Sequence, residues 1–263
     1  MPQDAFTLKY LCRELDLIFK NGKVNRIIQP SEDEVVFTVY TGSKTEKLYI
    51  SVSPSCPRIT VINEEKSAPL TCPNFCMLLR KHLLSATIES ISLVGFDRIV
   101  KIEFIASNEF FDAGHRTLYV ELMGRYSNII LTNEKIIVGT NRGINFFDNG
   151  IRPLIVGQPY KFPPVGDKKL PDDLSLVLKF ENIKAKDIAQ TILQNVQGVA
   201  ESTAKEIALH YLKKLESVRQ AEESQKLNKT KEEKNNICFE NLSAKKDDKS
   251  ETRINAKDFC EFM

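Results

Sequence analysis

From residue 87 to residue 141 the chain cycles through short runs rich in β-branched residues: TIESISLV, RIVKIEFIA, TLYVELM, NIILTN and KIIVGTN. The breaks between them are tight, with GFD after Val94 and TNEK after Leu131. A parallel return would need a crossover of roughly a dozen residues or more, so such runs pair as antiparallel neighbours. The stretch from Val24 to Asn63 has the same character. VNRIIQ, EVVFTVYT, KLYISVS and RITVIN are punctuated by Pro30, Gly42 and Pro54-Ser55-Cys56-Pro57, which predicts a second antiparallel meander.

Helical periodicity interrupts this pattern twice. Phe6, Leu8, Leu11, Leu15, Ile18 and Phe19 predict a helix over 5–20, with Asp4 as its cap and Gly22 as its stop. Pro73 suits a first helical turn, and Phe75, Leu78, Leu79 and Leu83 then form one stripe, which predicts a second helix packed on the sheet. The segment KFPPVGDKKLPDD holds three of the chain's eleven prolines and marks a boundary. Beyond it, KAKDIAQTILQNVQGVAESTAKEIALHYLKKL reads as two helices joined at Gln197-Gly198-Val199, the second starting near Glu201-Ser202. The expected fold is therefore α+β, a mainly antiparallel sheet domain with packed helices over 1–166. A small all-α module follows over 172–215, and 216–263 reads as a charged linker and terminal segment, with NICFENL and DFCEFM returning to the first domain.

Composition narrows the function only by exclusion. Lys and Arg number 37 against 35 Asp and Glu, a net charge of +2, so any basic binding face has to be local. Six cysteines are scattered, and only Cys72 and Cys76 lie close, without two further ligands at a spacing that suits zinc. Reduced thiols and no metal are expected. There is no signal peptide and no apolar run near the ~20 residues of a membrane span, which predicts a cytoplasmic protein with no membrane partner. His82, His115 and His210 stand apart, with no HExxH, no Gly-flanked nucleophilic serine and no Walker loop. No catalytic residue and no cofactor are expected.

Two places invite a binding role. In ELMGRYSNIIL, Gly124 allows a positive φ and Arg125 is offered at a turn between strands, either as part of a sealed hairpin or as a presented cation. Glu121 and Asn128 flank it as residues that would hold the turn. In the helical module, Leu193, Val196, Gly198, Val199 and Ala200, followed by Ala204 and Ile207, resemble a helix–hairpin–helix motif. There the backbone N–H groups of Gly198, Val199 and Ala200 would face a phosphate. The alternative is an αα-hairpin that simply packs.

PNFCMLLRKHL, GFDRIVKIEF and LYVELMGRYSNIIL, in this order after a helix and a meander, closely resemble the N-terminal domain of the NFACT family. The resemblance runs from the first helix to about Pro164 and, with the helix–hairpin–helix, covers most of the chain. It implies RNA binding: family members associate with an obstructed large ribosomal subunit that still holds peptidyl-tRNA. They help tRNA extend the stalled chain, alanyl-tRNA in the bacterial members. It also implies roles for Asp97-Arg98, the pair tied to tRNA-dependent tailing, and for Arg125, which belongs to the other family signature. Gly95 shapes the turn before Asp97. Physically, Arg98 after a tight turn can fork onto a phosphate or base edge, with Asp97 orienting it; the alternative is an internal Asp–Arg clamp.

Family members continue into a long coiled coil and a second RNA-binding domain, so the sequence is expected to be an N-terminal fragment of such a protein or a truncated member. The fold also resembles the N-terminal domain of the formamidopyrimidine-DNA glycosylases, whose nucleophile is an N-terminal proline with an adjacent glutamate. Here Pro2 is followed by Gln3, whose amide cannot do acid–base work. A third reading is adhesion, since some family members are described as fibronectin-binding.

Overall fold

The computed structural model describes residues 3–108, 111–143, 152–164, 166–173 and 184–236. It divides into two compact units, Met1–Gly166 and Asp167–Met263. No described helix is long and apolar enough to cross a membrane.

The first unit opens with α1 (Ala5–Phe19), capped where expected: the Asp4 carboxylate accepts from the Thr7 amide at 2.9 Å. Ala5, Leu8, Cys12, Leu15 and Phe19 form its buried stripe. Asn21 takes a φ of 64° and the Gly22 amide bonds back to the Phe19 carbonyl, which turns the chain into the sheet. The strands are β1 (Lys23–Ser31), β2 (Glu34–Tyr40), β3 (Thr45–Ser51), β4 (Arg58–Ile62), β5 (Thr87–Leu93), β6 (Ile99–Asn108), β7 (Phe111–Glu121), β8 (Asn128–Asn133) and β9 (Ile136–Thr140). α2 (Asn74–Leu83) lies between β4 and β5 in the chain. Pro73 is its N-cap rather than a first-turn residue, and Arg80, Lys81 and His82 fill its last turn, where cations suit the helix dipole.

All nine strands join one sheet in the order β4-β3-β2-β1-β5-β6-β7-β8-β9, every pairing antiparallel. The two meanders expected from the sequence are thus spliced through β1 and β5, which pair only at Lys23–Thr87 among the described residues. Pro30 lies inside a register shift of β1, between Ile28 and Ser31, where its missing N–H is tolerated.

One face of the sheet carries Val24, Ile27, Phe37, Leu48, Ile88, Ile102, Phe104, Leu118, Val120 and Leu131, all fully buried against α1 and α2. The other face of β6–β9 has its own cluster, Ile99, Tyr119, Ile130 and Ile137, covered by Leu154 and Tyr160 from the segment after β9. Gln3 has a structural job at the β4 edge: its side-chain amide donates to the Ile59 carbonyl and accepts from the Ile59 amide, both at 2.9 Å. That two-point bond imitates a neighbouring strand along an otherwise unpaired edge.

In the second unit, α3 (Ile188–Asn195) and α4 (Glu201–Asn236) form an αα-hairpin around Gly198, whose φ is 75°. Ile188, Ile192, Val196, Val199, Ala204, Ala208 and Tyr211 are its buried residues. Lys169 runs beside Val196 as an isolated parallel bridge. The start of α4 at Glu201 agrees with the sequence reading, but its length corrects it. The helix continues through residues 216–236, the first part of the expected charged linker. The Lys, Glu, Gln and Ala of that stretch are strong helix formers, so a charge-rich run can be helical without an apolar stripe. The expected returns of NICFENL and DFCEFM to the first domain lie outside the described residues.

Gly22 gives a direct check on the α1–β1 corner. A Cβ there would stand 2.6 Å from Val39 Cγ1 and 2.8 Å from the Phe19 carbonyl oxygen. Since the second neighbour is backbone, Gly22→Ala is expected to destabilise the first unit by about 1–3 kcal/mol, read as a lower denaturant midpoint at unchanged slope.

Candidate functional site

β5 and β6 are joined by the turn Val94–Arg98, and β7 and β8 by the turn Leu122–Ser127. Each contains a glycine in the left-handed region, Gly95 at φ 60° and Gly124 at φ 59°, with nothing within 4 Å of an added Cβ at either. Both are therefore needed for backbone direction and not for close packing. In the β6–β7 ladder Ile99 pairs with Glu121, so the two turns emerge at the same end of the sheet. The Leu122 amide donates to the Arg98 carbonyl at 2.8 Å and locks them side by side. Sequence reasoning named residues in both turns; the antiparallel register brings them together.

The Asp97 carboxylate accepts from the Arg98 backbone N–H at 2.7 Å. It therefore shapes the turn, and it forms no ion pair with the guanidinium next door, so the internal Asp–Arg clamp is not what holds this loop. Asp97 and Arg98 are each half-buried. The Arg98 side chain makes no hydrogen bond or ion pair with a described residue. Arg125 is exposed in a single 3-10 turn (Gly124–Tyr126), its guanidinium 4.7 Å from the centre of the Tyr126 ring. Arginine stacked on an exposed tyrosine keeps its charge toward solvent.

Glu121 and Asn128 prove to be framework residues with long-range partners. Glu121, 1% exposed, takes a bidentate pair from Arg152 at 2.8 and 2.7 Å and a hydrogen bond from the Tyr160 hydroxyl at 2.7 Å. This network fastens the covering segment to the sheet. Burial pushes the Tyr160 phenol well above its ordinary value, and the Glu121 charge adds to it. Burial alone would lower the Arg152 guanidinium, but the bonds and charge of Glu121 outweigh it and the net shift is upward. Asn128 accepts from the amides of Ile129 and Arg142 at 2.9 Å and donates to the Arg142 carbonyl at 3.0 Å. Arg142 in turn pairs with Asp33 at the tip of the β1–β2 hairpin and reaches the carbonyl oxygens of Ser127 and Arg125 at 3.4 Å.

Sequence reading missed Arg142, Arg152 and Tyr160, because the side chains that hold them lie far off in the chain. A further missed feature lies on α1. Phe6 meets Phe96 edge to face at 4.8 Å between centroids, and Lys9 sits 5.8 Å over the Phe96 ring. The N-terminal half of α1 thus borders the β5–β6 turn.

None of the three histidines lies in the two turns. His82 is half-buried on α2 and held low, first by burial and then by Arg116 and Lys81. His115 is exposed beside Glu89 at 3.2 Å, and His210 is exposed on α4. Cys12, Cys56, Cys72 and Cys76 are free thiols, with Cys12 pushed up to about 12 and Cys76 to about 11, mainly by burial. The buried thiols of Cys12 and Cys76 therefore stay protonated and unreactive. Among the described residues no group of three or more His, Cys, Asp and Glu is placed to hold a metal ion. In the second unit, Val199 is buried while Gly198 and Ala200 are half-buried, and Glu201 opens α4 in an ion pair with Lys205.

Removing Arg152 strands a buried carboxylate. Arg152→Ala is expected to destabilise the first unit by roughly 3–5 kcal/mol in urea melts, far more than Arg98→Ala or Arg125→Ala. Because folding raises the Tyr160 pKa, the stability tied to that phenol is intact below pH ~10 and is lost as pH rises further, when the unfolded chain gives up its proton first. Tyr160→Phe should therefore flatten part of the alkaline loss of stability.

Comparison with known proteins agrees with this architecture. The family model for NFACT N-terminal and middle domains matches residues 4–257. The chain is 36% identical over 217 residues to the Rqc2 homolog RqcH of Bacillus subtilis, covering 80% of this chain and 37% of that protein. It is 32% identical over 213 residues to the Rqc2 homolog RqcH of Streptococcus suis, covering 80% and 39%. The chain thus spans well under half the length of these relatives. Among solved structures, the N-terminal domain of fibronectin-binding protein PavA from Streptococcus pneumoniae superposes with a TM-score of 0.73 at 31% identity, covering 82% of each chain. The fibrinogen-binding protein of Staphylococcus aureus gives 0.69 at 28%, covering 79% of this chain and 74% of that one. With the sheet, the two adjoining turns and these matches together, the chain belongs to the NFACT family, alongside the Rqc2 homologs named RqcH.

Proposed function

We propose that this chain is the RNA-binding N-terminal part of a ribosome quality-control factor, and that the paired turns at 95–98 and 124–126 contact tRNA. The observation that carries this reading is the Leu122–Arg98 hydrogen bond, which holds the two turns side by side, each bearing an arginine without a carboxylate partner among the described residues. Uncompensated guanidinium groups on short turns are well suited to phosphates and base edges. Asp97, fixed by its own backbone, aims the turn that carries Arg98. The role is one of binding and positioning, in the cytoplasm and without a cofactor. The partners are a tRNA, alanyl-tRNA in the bacterial setting, and an obstructed large ribosomal subunit with peptidyl-tRNA.

The hairpin of the second unit serves the same end as a helix–hairpin–helix, with the backbone of Gly198, Val199 and Ala200 near a phosphate. Glu201 at the start of α4 opposes an anion there, so this contact is the minor one. The sheet domain is read as a relative of the glycosylase N-terminal domain without its chemistry, because Gln3 is occupied at the β4 edge. A second reading, fibronectin binding, has the structural likeness to PavA in its favour. In that case immobilised fibronectin would retain the chain, and Arg98→Ala would leave the retention intact.

Arg98→Ala is expected to weaken tRNA binding by about 1–3 kcal/mol and to lower the salt dependence, while the melting temperature stays nearly constant because the change falls within about 0.5 kcal/mol. Asp97→Ala should act through the turn, with a stability loss of about 1 kcal/mol alongside its binding defect. Filter binding and thermal melts on the same preparations decide the matter. A large stability loss in Arg98→Ala with unaltered tRNA binding in the folded protein excludes the proposed role.

A further inference from the structure

Between α1 and β5 lies an open cavity of about 570 Å³, within the roughly 300–1,000 Å³ range of small-ligand sites. Lys9 and Arg13, one turn apart on α1, line one wall, and Ser92, Leu93, Gly95 and Phe96 line the other. The floor is a strand edge. Val94 donates to the Ile99 carbonyl, so by antiparallel alternation the N–H and C=O groups of Ile91 and Leu93 point away from β6, toward α1. The Ile91 amide confirms this, since it is taken by the Asp16 carboxylate at 2.7 Å. Leu93 turns its donor and acceptor to the same side, where β1 no longer runs alongside.

The two ends of the cavity decide what fits it. Asp16 bonded to Ile91 closes one end, and the Phe6–Phe96 contact closes the other. An extended peptide adding to the β5 edge would have to pass both, so strand addition is blocked and a single flat group is admitted from the solvent side. Cations at the rim, backbone donor and acceptor on the floor and an aromatic ring at one end match a base carried on a phosphate. Arg13 also lies 5.9 Å over the exposed ring of Tyr10, which extends the alternation of cations and aromatics along α1.

We propose that this cavity receives one unpaired nucleotide of a bound RNA, its base against Leu93 and Phe96 and its phosphate at Lys9 and Arg13. The proposal rests on the RNA-binding reading above for the source of the nucleotide. It assigns α1, in addition to the two turns, to the RNA-contacting surface.

The test uses the whole chain with isotope-labelled amides and four probes, the 5′-monophosphates of adenosine, guanosine, cytidine and uridine, with ribose 5-phosphate as control. At least one mononucleotide at millimolar concentration should shift the amides of Ser92, Leu93 and Gly95. Ribose 5-phosphate should bind roughly tenfold more weakly, since the stacked base supplies much of the affinity. Arg13→Glu should abolish the shifts, Arg98→Ala should leave them in place, and unlabelled tRNA should displace the mononucleotide. Equal binding of ribose 5-phosphate, or silence at these amides with every mononucleotide, overturns the proposal. Mononucleotide binding that tRNA does not displace also overturns it, because the ligand is then a free nucleotide. The two readings fail separately. If Arg98→Ala loses tRNA while Arg13→Glu retains it, the turns stand and the groove falls. If Arg98→Ala binds tRNA normally while Arg13→Glu loses both tRNA and mononucleotide, the groove stands and the assignment to the turns falls.

Discussion

The pairing of β6 with β7 fixes everything at the functional end of the sheet. With Ile99 opposite Glu121 and Leu122 bonded to Arg98, the two turns are held as neighbours although more than twenty residues separate them in the chain. A slip of one residue would exchange the faces of β7. Glu121 would then point into the apolar face where Leu118 and Val120 now lie, and Val120 would stand opposite Arg152. Burying an unpaired carboxylate is so unfavourable that this alternative is excluded, and the position of Arg98 relative to Arg125 is decided by the same exclusion.

The arginines at this end fall into two kinds. Arg142 and Arg152 are consumed: one bridges Asp33 to the carbonyls of the β7–β8 turn, the other neutralises Glu121 beneath the covering segment. These contacts are directional, so they hold the turns at a defined height above the sheet. Arg98 and Arg125 stand on that framework without acidic partners among the described residues. Rigid support under unpaired cations is what a binding surface requires, because little ordering is left to be done when the ligand arrives.

Much of this was legible in the residues. Alternation located the strands, the stripe on 5–20 located α1, GFD marked a tight break after β5, and Gly124 marked a turn that allows a positive φ. What could not be read was which arginine would be paired. Arg125 and Arg142 both follow a β-rich run, yet Asp33, which decides the fate of Arg142, lies 109 residues away. The Glu121–Arg152 pair spans 31 residues and the Gln29–Asn141 bond 112. Local pattern carries no information about such partners, which depend on how the two meanders meet. Gln3 shows the same limit from the other side: its sequence context reported only a missing carboxylate, while its contribution is a pair of bonds to Ile59. Over residues 216–236 the charge-rich run expected as a linker is helix, because its Lys, Glu and Gln residues carry helix propensity without an apolar stripe.

Pairing also explains how a chain with a net charge of +2 can present a local site for an anion. Asp33 and Glu121 are matched by guanidinium groups, so neither projects a field of its own. Asp16 and Asp97 each aim an oxygen at a backbone amide, which turns their negative end inward and partly offsets it. Lys9 and Arg13 rest instead on aromatic rings, as Arg125 does, and a ring face leaves the outward side of the cation open. The sign of this surface is therefore set by which charges the fold ties down, and summing residues over the chain cannot disclose it.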